Sequence, residues 1–101
     1  MTRVHTHLGE VLREEFMRPL GLSANALALA LRVPATRIGD ILRPEKPRAV
    51  TADTAIRLAR YFGTTPEFWL NLQAGYDLSL ALAEHGPAIE RDVRPHTPAA
   101  A

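Results

Sequence analysis

Thr36, Arg37, Asp40 and Arg43 fall on one face of a run that fits a short helix, and their side chains suit contact with nucleic-acid bases. A guanidinium fork such as that of Arg37 matches the paired acceptors on a guanine edge. Thr36 offers a methyl to thymine or a hydroxyl to a phosphate, and Asp40 either accepts from a cytosine amine or holds Arg37 or Arg43 in place. The same four residues also describe an ordinary solvated helix face with an internal ion pair, and spacing within one helix does not separate the two readings.

The preceding element separates them. Ser23 is a good N-cap for a helix whose inner stripe is Ala24, Leu27, Ala28 and Leu31. A further helix begins at Pro34, in the first helical position, and buries Ile38, Ile41 and Leu42. Two short helices joined by so tight a turn form the arrangement that lays its second helix in a major groove. Gly39, inside that second helix, costs roughly 1 kcal/mol against alanine, which points to a close approach there by the preceding helix or by a DNA backbone.

The net charge of +1 is too small to announce a polyanionic partner, so location has to carry the electrostatic argument. From Arg32 to Arg48 five cations stand against two acids, beside the proposed reading helix. Ser23 and Asn25 at one helix N-terminus, with Lys46 and Arg48 in the Arg-Pro-Glu-Lys-Pro-Arg loop, are the expected phosphate contacts.

These residues need a scaffold. With 101 residues, 47% of them hydrophobic and 23% charged, the chain fits one globular domain. Leu8, Val11, Leu12, Phe16 and Leu20 predict a first helix closed by Pro19 and Gly21. Thr51 caps a fourth helix, with Asp53 in its first turn, Ala55, Leu58, Ala59 and Phe62 inside and Gly63 at its end. Thr65, Pro66 and Glu67 repeat the start signal before an aromatic fifth helix with Phe68, Trp69, Leu72 and Tyr76, and a short sixth is expected from Asp77 to about Ala83. The expected fold is all-α, with five or six helices, no strand and no internal repeat. Its helix-turn-helix domain with C-terminal dimerisation helices covers residues 1–83, followed by a loosely ordered tail over 84–101.

Trp69, Leu72, Tyr76 and Leu80 read either as the floor of the core or as part of a dimer contact. Leu78, Leu80 and Leu82 together exceed what so short a domain buries alone, so a homodimer is expected. Two copies would present two reading helices to half-sites about 34 Å apart. His5, His7 and Glu10 lie close together, but nothing later in the chain completes a metal site; no metal or cofactor is called for. No phosphate loop or nucleophile–base pair argues for an enzyme, so no catalytic residue is assigned. The absence of cysteine, of a signal-type N-terminus and of any apolar run near ~18 residues leads us to expect a cytoplasmic protein with no membrane association.

Leu22-Ser23 through Leu42 resembles the helix-turn-helix of the lambda-repressor or XRE class. The flanks resemble HigA-type (VapI-related) antitoxins more specifically: His7-Leu8-Gly9-Glu10-Val11-Leu12, then Arg48 to Thr51, Asp53-Thr54-Ala55-Ile56-Arg57-Leu58-Ala59, and Phe68-Trp69-Leu70-Asn71-Leu72-Gln73 with Tyr76-Asp77-Leu78. The likeness spans about residues 7 to 80. It implies a dimer that represses its own operon at a palindromic, double-stranded operator and neutralises a HigB-type messenger-RNA-cleaving ribonuclease toxin. An orphan repressor without a toxin, or an adaptor that has lost DNA binding, are the alternatives. Two features depart from the family pattern: Leu8 stands where proline is frequent, and the Arg43–Arg48 loop is longer than usual.

Overall fold

The computed structural model describes residues 4–98, which are helical in five segments and contain no strand. The first segment runs through α1 (Leu8–Val11), a π-helical stretch (Leu12–Met17) and α2 (Arg18–Leu20) without a gap. Pro19 gives the reason for the widening. It has no N–H for the Glu15 carbonyl and its ring crowds that oxygen, so the ladder loosens ahead of it and the Arg18 N–H reaches back to Arg13. Gly21 closes the segment at φ 64°, and the Leu22 N–H returns to the Met17 carbonyl at 2.9 Å. The extra residue in the π stretch shifts the inner face. Met17 is buried, whereas Leu20, expected inside, is 63% exposed.

The expected helix-turn-helix follows as α3 (Ala24–Leu31) and α4 (Ala35–Leu42). The Ser23 hydroxyl accepts the Ala26 N–H at 3.1 Å, and Arg32, in the left-handed region at φ 61°, ends α3. Pro34 is extended and stands in the cap position, so α4 opens at Ala35, one residue later than expected. Gly39 has open space around it, so packing against the preceding helix does not explain that glycine. Close approach occurs instead at Gly9: a Cβ there would collide with the backbone oxygen of Ile41, so only glycine lets α1 seat directly on α4.

After the loop, α5 (Ala52–Phe62) and α6 (Pro66–Asp92) complete the fold, capped by Thr51 and Thr65 as the sequence signals. Leu8, Leu12, Leu27, Ile38, Ile41, Leu58 and Trp69 form the centre of the core, with Phe16 packed 4.9 Å from Trp69 and 5.0 Å from Phe62 between ring centroids. Trp69 is fully buried within one chain, and its indole N–H donates to the Thr64 hydroxyl at 2.7 Å. It is therefore a core residue and not part of an exposed contact. Gln73 ties α6 to the loop before α5 by accepting the buried Val50 N–H at 2.9 Å.

The fifth and sixth helices of the sequence reading are one helix. Asp77 does not cap a new element, because its carboxylate accepts from Gln73 one turn earlier, at 2.8 Å. The segment from Glu84, expected to be loose, continues α6 to Asp92 despite Pro87, which removes only one donor from a stretch rich in good helix formers. Residues 99–101 of the expected tail lie outside the described residues. Ser79, whose hydroxyl accepts the His5 N–H at 2.8 Å, is the last buried side chain of α6. Beyond it the helix leaves the core, which accounts for an extent of 60 Å along the long axis against 29 and 22 Å across it.

Candidate nucleic-acid interface

The amphipathic α4 sets its four candidate residues by burying Ile38 and Ile41 at one side. Thr36 is exposed, Arg37 is partly exposed, and Asp40 and Arg43 lie farther along the same outward face. Three neighbours hold the helix. α1 packs on it through Gly9, the Arg13 guanidinium donates to the Leu42 carbonyl at its C-terminus, and the following loop returns to it through the Arg48 N–H, which meets the Asp40 carbonyl at 2.9 Å.

The loop Arg43–Arg48 is therefore folded back against α4. Arg43 donates to the Lys46 carbonyl at 3.0 Å, and Lys46 adopts φ 48°, which turns the chain back toward Arg48. Arg43 and Arg48 both lie near the Asp40 carboxylate, at 3.8 and 4.0 Å. Exposed pairs at such distances add little stability, and their effect is to gather the cations on one side of the molecule. Ser23 and Asn25 are exposed at the α3 N-terminus, although the Ser23 hydroxyl is already engaged as the cap. Leu72, Tyr76 and Leu80 lie elsewhere, half-buried along α6, with Tyr76 edge-on to the His7 ring at 4.8 Å.

Several contributors escaped the sequence reading. Arg37 donates to the Asp53 carboxylate at 3.2 Å, and the same oxygen accepts from Arg57 at 2.9 Å. Arg57 in turn donates to the Leu31 carbonyl at 2.8 Å and so closes the C-terminus of α3. The Arg57 hydrogen bond is the main cause that holds the Asp53 carboxyl below the usual carboxylate range; desolvation opposes it, and the charges of Arg57 and Arg37 add to the lowering. The Asp53–Arg57 spacing of four residues was a readable helix pair. The Arg37–Asp53 pair spans two helices and gave no sequence signal. Around these groups Arg32, Arg37, Arg48 and Arg57 line a cleft of about 370 Å³ with Thr51 and Asp53, so four cations face one carboxylate beside the N-terminus of α5. Among the described residues no cluster of His, Asp and Glu has the geometry of a metal site. His7 instead caps α1, its Nδ1 accepting the Gly9 N–H at 2.9 Å. Burial lowers the His7 pKa, and Asp77 opposes this in part.

The Helix-turn-helix family model matches residues 12–69, which contain α3, α4, α5 and their connections. An addiction module antidote protein of a HigA family from Coxiella burnetii superposes with a TM-score of 0.84 at 49% identity, covering 93% of this chain and 100% of that one. The chain belongs to the HigA family of helix-turn-helix proteins. Virulence-associated protein I of Dichelobacter nodosus is 56% identical over 75 residues, 74% of this chain and 68% of its own length. Antitoxin HigA of Pseudomonas aeruginosa, solved with the higBA promoter, superposes with a TM-score of 0.85 at 46% identity over 91% of this chain and 98% of that one. Among the described residues no helix of this HigA-family chain is long and apolar enough to cross a membrane.

Proposed function

We propose that this protein is a DNA-binding antitoxin that represses its own operon through α4 and neutralises a HigB-type ribonuclease toxin. The observation that carries this reading is the likeness, over nearly the whole chain, to an antitoxin solved with its own promoter. In this reading α4 enters the major groove with Thr36, Arg37, Asp40 and Arg43 near base edges, while Ser23, Asn25, Lys46 and Arg48 meet phosphates. The open space at Gly39 leaves room there for a DNA backbone. Residues 1–83 supply the DNA-binding and dimer-forming part, and the protein acts in the cytoplasm without catalysis of its own. The exposed Leu78 and Leu82 on α6, within those residues, support a homodimer, and Ile89 continues the exposed apolar face of the helix beyond them.

The test is fluorescence anisotropy with a duplex from the chain's own upstream region and a scrambled duplex, at two salt concentrations. Tight, salt-sensitive binding to the native duplex alone is expected. Arg37→Ala costs about 1–3 kcal/mol on the preferred operator, whereas Lys46→Ala weakens all duplexes similarly and lowers the salt slope by about 1. Equal weak binding to both duplexes removes the reading-helix roles. Rescue of growth on co-expression with the neighbouring toxin gene tests the antitoxin half.

A further inference from the structure

We infer that Asp53 is a specificity-positioning residue, a carboxylate on α5 that fixes the direction in which Arg37 of α4 presents its guanidinium to DNA. The inference rests on α4 being the reading helix and adds a residue from outside it. Asp53 is itself anchored: one oxygen accepts from Arg57 Nε at 2.9 Å, and Arg57 Nη1 is fixed on the Leu31 carbonyl at 2.8 Å. A chain of hydrogen bonds thus runs from the C-terminus of α3 through α5 to the outward face of α4, where Arg37 Nη1 meets Asp53 Oδ2 at 3.2 Å.

The geometry leaves Arg37 usable. A guanidinium carries five donors in a plane, and among the described residues Asp53 is the only hydrogen-bond partner of the Arg37 guanidinium, at one terminal nitrogen. The Nε–Nη2 edge stays free, and a bidentate contact with guanine needs one such edge. An unanchored arginine searches many rotamers and reaches phosphates as readily as bases, whereas an arginine held at one nitrogen has lost most of that freedom before binding. Stability does not account for the pair, because the Asp53 side chain is 58% exposed and a surface ion pair at this distance is weak. A carboxylate beside a cleft lined by four arginines also opposes binding of any polyanion. Its presence there favours discrimination over affinity.

The experiment measures the wild type, Asp53→Ala, Arg37→Ala and the double variant by anisotropy. The duplexes are the operator, the operator with the contacted guanine replaced, and a scrambled sequence, and each variant's Tm is recorded. Arg37→Ala is expected to reduce discrimination by about 5- to 150-fold, the range of one bidentate contact. Asp53→Ala is expected to lose at least about threefold of the same discrimination, while binding to the scrambled duplex is held or strengthened. In the Arg37→Ala background Asp53→Ala should add no further loss of discrimination. Asp53→Asn, which keeps the shape and one acceptor oxygen, replaces Asp53→Ala if the latter unfolds, and it too should lose discrimination. An equal loss on all three duplexes with a lowered Tm makes Asp53 merely structural and overturns the inference. Tighter operator binding with discrimination intact makes it a lock on Arg37, which overturns it as well. If Arg37→Ala leaves discrimination unchanged, the assignment of α4 side chains to bases fails first, and the inference falls with it.

Discussion

Gly9→Ala adds one methyl group where α1 rests on α4, and its effect follows from the atoms that methyl would meet. The new Cβ would collide with the Ile41 carbonyl oxygen and lie 3.1 Å from His7 Nδ1. The first obstacle is backbone and cannot rotate away, so relief requires α1 to lift from α4. Overpacking against such an obstacle costs about 3 kcal/mol, the upper end of the usual range. Alanine returns about 1 kcal/mol through its better helix propensity, leaving a net loss of about 2 kcal/mol. For a domain of this size that lowers Tm by roughly 8–16 °C. Gly39→Ala is the matched control, because nothing lies within 4 Å of a Cβ at that site. It should gain up to about 1 kcal/mol, or roughly 4–8 °C. Thermal unfolding followed by circular dichroism at one protein concentration reads both variants. A Gly9→Ala protein as stable as wild type would refute the close-seating argument, and a loss from Gly39→Ala would refute the open-space argument.

Gln73→Leu leaves the buried Val50 N–H without its acceptor and should destabilise by about 1–3 kcal/mol in denaturant titration; a loss below about 0.5 kcal/mol would mean that water or another group satisfies that donor. The His7 pKa is lowered in the folded state, so the unfolded chain binds the proton first as pH falls. The stability from neutral, capping His7 is therefore complete above the ordinary histidine value of 6.5 and is lost as pH falls from there through the lower folded pKa. His7→Asn, which retains a capping oxygen, should flatten the stability profile in that window, and an unchanged slope would remove His7 as its source. Asp53, also lowered, is separable, because its contribution is complete above 3.8 and is lost only as pH falls through its still lower folded value. On the projecting half of α6, Leu82→Glu should convert a dimer to a monomer in size-exclusion chromatography with light scattering while leaving the folded domain intact; a persistent dimer would place the interface elsewhere.

The local signals in this sequence sufficed for everything that depends on neighbours a few residues away. Ser23, Thr51 and Thr65 cap where expected because an N-cap needs only its own hydroxyl and the amide three residues on. Apolar spacing located α3, α4, α5 and the start of α6 for the same reason, and the family resemblance was carried by contiguous residues. The misreadings were local rules outweighed by context. Pro19 widened a helix instead of only ending it, which turned Leu20 outward, and Pro87 did not interrupt α6. The short sixth helix expected from Asp77 proved continuous with the fifth, and the Asp77 carboxylate accepts from Gln73 one turn earlier in the same helix. Tertiary structure alone decided that Gly9 is the glycine at which two helices meet, while no helix packs on Gly39, and that Trp69 belongs wholly to the core. It also decided that Arg37 is held by a carboxylate sixteen residues away. Contacts of that kind are set by the angle and distance between packed helices, which the periodicity of a single helix does not encode.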